Sequence, residues 1–109
     1  DLDLFNRRLF CACDSGVVFS LNADTGEVLS QATLSGKPDV IFYNSTRQNL
    51  YIAIGDPGVI EVFETQTLQR MDSVPTEKGA HTLGFDPLRN KLYAFLPTTH
   101  RAAVLTDLA

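Results

Sequence analysis

Short apolar runs alternate with polar turns along the whole chain, and nowhere do apolar residues recur at the three-to-four spacing of a helix face. Residues 9–13 (LFCAC), 17–22 (VVFSLN) and 28–34 (VLSQATL) predict three strands, joined by turns at 14–16 (Asp-Ser-Gly) and 23–27 (Ala-Asp-Thr-Gly-Glu). Residues 2–5 read as the end of a strand before them, with 6–8 as its turn. A loop at 35–39 (SGKPD) precedes strands at 40–43 (VIFY), 50–54 (LYIAI), 59–63 (VIEVF) and 68–74 (LQRMDSV). A second loop at 76–80 (TEKGA) leads to strands at 81–85, 92–96 and 102–106, with 97–100 as a turn. LFCAC and LYIAI are apolar at successive positions, so these strands are expected to be covered on both faces.

The elements repeat. Phe85-Asp86 … Asn90-Lys91-Leu92-Tyr93 has a copy at Tyr43-Asn44 … Gln48-Asn49-Leu50-Tyr51 and another at Leu2-Asp3 … Arg7-Arg8-Leu9-Phe10. In each copy the residue opening the turn (Asp3, Asn44, Asp86) lies six positions before an anchor leucine (Leu9, Leu50, Leu92), and Gly16 and Gly58 mark a second turn in phase. A period of about 42 built from short strands is the pattern of a β-propeller blade. The expected architecture is all-β: blades of four antiparallel strands at approximately 1–35, 36–77 and 78–109, amounting to about 2.6 blades. Blades bury both faces, so the two end faces of such a segment are expected to drive self-association.

Composition narrows the function. A net charge of −4 and a pI near 4.9, with nine basic residues scattered along the chain, argue against a nucleic-acid partner. No apolar run approaches the ~20 residues of a membrane-spanning helix. Cys11 and Cys13 fall on one face of a strand with parallel side chains, too far apart for easy bridging, and read as small buried apolar residues. GxGxxG, P-loop, HExxH and CxxC patterns are absent, and Asp24-Thr25-Gly26 reads as a turn between strands, so no catalytic residue, metal set or cofactor is assigned.

One constellation could carry binding. In a propeller, the loop entering each innermost strand and the turn between the second and third strands open on the same face. Asp39 and His81 enter successive innermost strands 42 residues apart, and Asp14, Asp56 and His100 lie in the second-to-third-strand turns. Carboxylates and imidazoles at a channel mouth could hold a metal or a polar substrate, although these residue types are also common in turns.

The segments GKPDVIFYNSTRQNLYIAIGDPGVIEVFETQTL and KGAHTLGFDPLRNKLYAFLPTTHRAAVLTDL resemble the YVTN, or YncE-like, bacterial β-propeller repeat. Its pattern is a Gly/Pro loop, an apolar strand, a D-P turn, L-Y-V, a Gly turn, a V-x-V strand and a T-x-x-[VL] exit. The match spans essentially the whole chain. Proline follows the turn opener only at Pro87, and the absence of Trp and of a GH…WD pair separates the chain from WD-type propellers. The resemblance implies usually seven blades, so that this chain is a part of a propeller, and export to the periplasm or beyond. It also implies a binding or scaffold module for a protein, peptide or glycan; the alternative is part of a lactonase-like hydrolase with a metal in the central channel.

Overall fold

The computed structural model describes residues 1–108. They form the strands β1 (Leu2–Asp3), β2 (Arg8–Cys13), β3 (Val17–Asn22), β4 (Val28–Thr33), β5 (Pro38–Asn44), β6 (Asn49–Ile54), β7 (Val59–Glu64), β8 (Arg70–Pro75), β9 (Leu83–Asp86), β10 (Lys91–Leu96) and β11 (Arg101–Thr106). Among the described residues these build three antiparallel sheets with neighbours in chain order: β1–β4, β5–β8 and β9–β11. Among the described residues no helix is long and apolar enough to cross a membrane.

The turn openers act through their side chains. Asn44 Oδ1 accepts the backbone N–H groups of Thr46 and Arg47 at 3.1 and 3.2 Å, and Asp86 Oδ1 accepts those of Leu88 and Arg89 at 3.0 and 3.3 Å. Asp3 Oδ1 accepts the Asn6 N–H at 3.1 Å. A short polar side chain that caps its own turn ends the strand and starts the reversal. Each turn then passes through a left-handed residue, Arg7, Gln48 or Asn90, at φ 55, 55 and 53°. The second strand follows at once and places Leu9, Leu50 and Leu92 opposite Leu2, Tyr43 and Phe85.

Alternation sends the two faces of each sheet to different neighbours. Leu50, Ile52, Ile54 and Phe63 pack with Phe10 and Val18 of the first sheet. Tyr51, Ala53, Ile60 and Val62 pack with Leu83, Leu92 and Ala94 of the third. Every residue of β6 is buried, which is why LYIAI shows no polar alternation. β5 lies against both β2 and β9, and the three sheets stand face to face.

Polar contacts stitch the same interfaces. Tyr43 OH donates to Asp3 Oδ2 at 3.0 Å, and the Tyr43 N–H donates to Asp1 Oδ2 at 2.8 Å. Burial, then the Asp3 carboxylate, push the Tyr43 hydroxyl up to about 12. Within the second sheet Asn44 Nδ2 donates to Tyr51 OH; beyond it, Asn44 Nδ2 also donates to Asn90 Oδ1, while Asn49 Nδ2 and Tyr51 OH donate to Asp107 Oδ2. Burial and the Asp107 carboxylate raise the Tyr51 hydroxyl further still. Glu61, 0 % exposed, accepts the Ser35 N–H at 2.9 Å and an Arg70 N–H at 2.7 Å.

Several boundaries differ from the sequence reading. The first strand stops at Asp3 rather than residue 5, because Asp3 already caps the turn and Leu4 and Phe5 are exposed. The loop expected at 35–39 ends earlier, with Pro38 and Asp39 inside β5 next to a register shift between Pro38 and Ile41. Leu68 belongs to the turn after β7: its φ of 58° is left-handed, and its buried side chain joins the first-to-second-sheet core. His81 and Thr82 precede β9 instead of opening it. Cys11 and Cys13 are free and half-buried rather than buried, because they lie on the face of the first sheet turned away from the second.

The capping carboxylates set an acid limit. Burial works against the ionised form of Asp3, but hydrogen bonds from Asn6 and Tyr43 outweigh it and hold the carboxyl below its ordinary 3.8. Arg89, helped by the turn N–H groups, does the same for Asp86. A depressed folded-state pKa contributes stability that is complete above the unfolded value and lost as pH falls through the folded one. Urea midpoints are therefore expected to be flat above about pH 5 and to fall below about pH 4, with a shallower fall in Asp3→Asn, which keeps an acceptor but does not titrate. An unchanged midpoint at pH 3 would contradict this.

Candidate functional site

The links between sheets and the turns between second and third strands gather at one end of the molecule, opposite the capped turns. The Leu34 N–H donates to Gly16 O at 2.9 Å, the Thr76 N–H to Gly58 O at 2.8 Å and the Gly79 N–H to Gly55 O at 2.6 Å. Glu77 extends the series: Oε1 accepts the N–H groups of Thr98 and Thr99, and Oε2 accepts the Thr99 hydroxyl at 2.9 Å. These hydrogen bonds outweigh the effect of burial and lower the Glu77 pKa below its ordinary 4.5. The packing leaves no room for a side chain at Gly36, where a Cβ would stand 2.3 Å from Asp56 O.

All five sequence candidates sit at this end, and all are exposed. Asp39 lies second in β5, and His81 lies two residues before β9, its Nδ1 2.8 Å from Gly79 O. Asp14 is in the β2–β3 turn, Asp56 is beside Gly36 in the β6–β7 turn, and His100 is in the β10–β11 turn. The backbone brings their loops together. It does not join the five side chains to one another by hydrogen bonds, and among the described residues no three His, Cys, Asp or Glu side chains form a metal-ligand group.

His100 also has a backbone role. It occupies the position of Gly16 and Gly58, and like them it is left-handed, at φ 55° against 86 and 101°. A left-handed residue with a Cβ costs roughly 1–2 kcal/mol, partly offset by the greater chain entropy a glycine loses on folding. His100→Gly is therefore expected to stabilise the protein by about 0.5–1 kcal/mol, raising Tm by about 2–5 °C in a thermal melt. A lowered Tm would show that the imidazole contributes a contact worth more than the strain.

The sequence reading did not identify a second concavity. A cavity of about 260 Å³ lies between the second and third sheets near the capped turns, lined by Tyr51, Ile60, Val62, Phe85, Leu92 and Leu105, with Asn90 and Asp107 at its polar edge. Its sequence signal was the third repeat, which among the described residues has three strands where the others have four. The corresponding space between the first and second sheets is filled by Leu68. The lining is mostly apolar; Asp72 and Thr106 add to its polar part, and the Asp107 carboxylate is already engaged by Tyr51 OH and Asn49 Nδ2.

No protein-family model matches the chain, and no curated protein does. Solved structures do. Dihydro-heme d1 dehydrogenase NirN in complex with DHE superposes with a TM-score of 0.77 at 15 % identity, over 97 % of this chain and 23 % of that one. The computationally designed Ika4 protein superposes with a TM-score of 0.74 at 16 % identity, over 96 % of this chain and 63 % of that one. The chain thus spans less than two thirds of either, and at such identities the likeness is one of fold.

Proposed function

We propose that the three sheets are consecutive blades of a β-propeller of the YVTN, YncE-like class, and that the segment serves as a binding or scaffold module. The observation that carries this reading is the single end at which every inter-sheet link and every second-to-third-strand turn converge, with Asp14, Asp39, Asp56, His81 and His100 all exposed on it. A rigid backbone lattice carrying exposed polar side chains suits recognition, because the residues that would touch a ligand are not those that hold the sheets together. The partner class is a protein, peptide or glycan. Periplasmic or extracellular placement goes with this reading.

The test is binding of the intact chain to arrays of immobilised acidic and basic peptides and of oligosaccharides. Asp39→Ala and His81→Ala are expected to weaken whatever binding the wild type shows at least tenfold, with an unchanged far-UV circular dichroism spectrum. Binding that survives both substitutions, or no binding to any array, would overturn the assignment of this face.

A further inference from the structure

The carboxylate of Glu77 lies in a cradle of three donors that the fold does not need. Its Oε1 accepts the Thr98 and Thr99 N–H groups at 2.5 and 3.2 Å, and its Oε2 accepts the Thr99 hydroxyl at 2.9 Å. In the second repeat Ser35, Asp56 and Pro57 stand at the positions of Glu77, Thr98 and Thr99, 42 residues earlier. There the link meets its turn by close backbone approach, a Cβ at Gly36 being only 2.3 Å from Asp56 O. A carboxylate is therefore not required to hold the turn. Pro57 has no N–H to offer, so the second repeat also lacks the paired donors. Asp56 and Pro57 are exposed although their sheet is packed on both faces, so this position stays open when both neighbouring sheets are in place. Lys78 and Arg101 flank the cradle in sequence, are exposed, and among the described residues join no ion pair. Glu77 is the one acid in residues 76–81 and 97–101.

We propose that the Thr98–Thr99 cradle is a carboxylate-recognition site, filled by Glu77 in the free protein and taken over by a carboxylate of a peptide partner. This rests on the reading of the same end as a binding face, and it names the partner's chemistry. Two backbone N–H groups and a hydroxyl converging on one carboxylate make a preorganised anion site, and backbone donors lose no rotamer freedom on binding. Lys78 and Arg101 add positive charge at this corner, whereas Asp14, Asp39 and Asp56 make the first- and second-sheet side acidic. Glu77 acts as a tethered competitor. Its departure needs no rearrangement of strands, because the second repeat keeps its turn in place without it. While Glu77 fills the cradle, the apparent affinity for a free carboxylate falls by the fraction of molecules left open.

The probe is a capped Gly-Glu-Gly tripeptide, titrated into the intact chain and followed at the Thr98 and Thr99 amides by NMR. Saturable shifts are expected at both amides, and none with capped Gly-Gln-Gly. Glu77→Ser, which copies the second repeat, should bind the Glu peptide at least roughly fivefold tighter than the wild type. Adding Thr99→Val to that variant should weaken binding at least roughly threefold, with unchanged circular dichroism spectra. Glu77→Asp, one methylene shorter, should fall between the wild type and Glu77→Ser, and replaces the latter if its spectrum changes. No shift with the Glu peptide, equal shifts with the Gln peptide, or no tightening in these variants would each overturn the proposal. The arrays judge the binding face separately: a partner that needs Asp39 and His81 but is indifferent to Glu77→Ser would keep that face and remove this site.

Discussion

Phe10→Ala should destabilise the protein by about 3–5 kcal/mol, the range for removing a large buried aromatic side chain. Phe10 is 2 % exposed, sits between the first and second sheets with Leu50 and Ile52, and holds its ring centroid 5.3 Å from that of Tyr43. Truncation removes the apolar burial and the ring contact together, where β2 and β5 meet. Native domains are stable by only about 5–15 kcal/mol, so the variant is expected near the edge of unfolding at room temperature. Phe5→Ala is the control. That ring is 94 % exposed and its loss should change stability by less than about 0.5 kcal/mol. The chain has no Trp, so tyrosine fluorescence or circular dichroism in a urea series reads both variants. Equal midpoints would mean that the first sheet does not pack on the second in solution.

The second large effect is expected at Glu61. Its carboxylate is fully enclosed, yet it ties the link before β5 to β8 through the Ser35 N–H and Arg70. Alanine leaves the Ser35 N–H without its acceptor and Arg70 without its counter-charge, at an expected cost of about 2–4 kcal/mol. Arg70 is half exposed and can turn to water, which keeps the figure below that for a wholly buried pair. Glutamine retains a neutral oxygen for Ser35 and should lose only about 1–2 kcal/mol. Denaturant midpoints give the ranking, and the Ser35 amide should exchange faster in Glu61→Ala than in Glu61→Gln. Identical behaviour of the two variants would show that the side chain only fills space.

The all-β class, the strand succession and the capped turns were legible because each rests on local chemistry. An Asp or Asn can cap its own turn, and an apolar run without alternation must be covered twice. What escaped the sequence reading depends on partners distant along the chain. VIEVF reads as a strand, but nothing in it says that Glu61 is drawn wholly inside to meet Ser35 and Arg70. Cys11 and Cys13 have the apolar company of buried residues, but their face is turned away from the neighbouring sheet. Leu68 is a strand-like residue in an exit sequence, and its left-handed backbone is set by the turn while its side chain joins the core of Phe63 and Phe10. The candidate site was legible as a shared end of the molecule, since repeat position alone decides which loops lie together. Which side chains touch there depends on the paths of individual loops, and His81 turns to its own Gly79 carbonyl.

The enclosure of β6 on both faces has a consequence for how the molecule comes apart. Among the described residues only the middle sheet has a neighbour on each side, so its backbone should be the last to open, after the flanking sheets. Amide hydrogen exchange should then form a gradient, with Leu50–Ala53 and Ile60–Phe63 slowest and β1, β4 and β11 fastest. Heating would peel the protein layer by layer, and a melting curve recorded at one aromatic residue would report its own layer more than the whole.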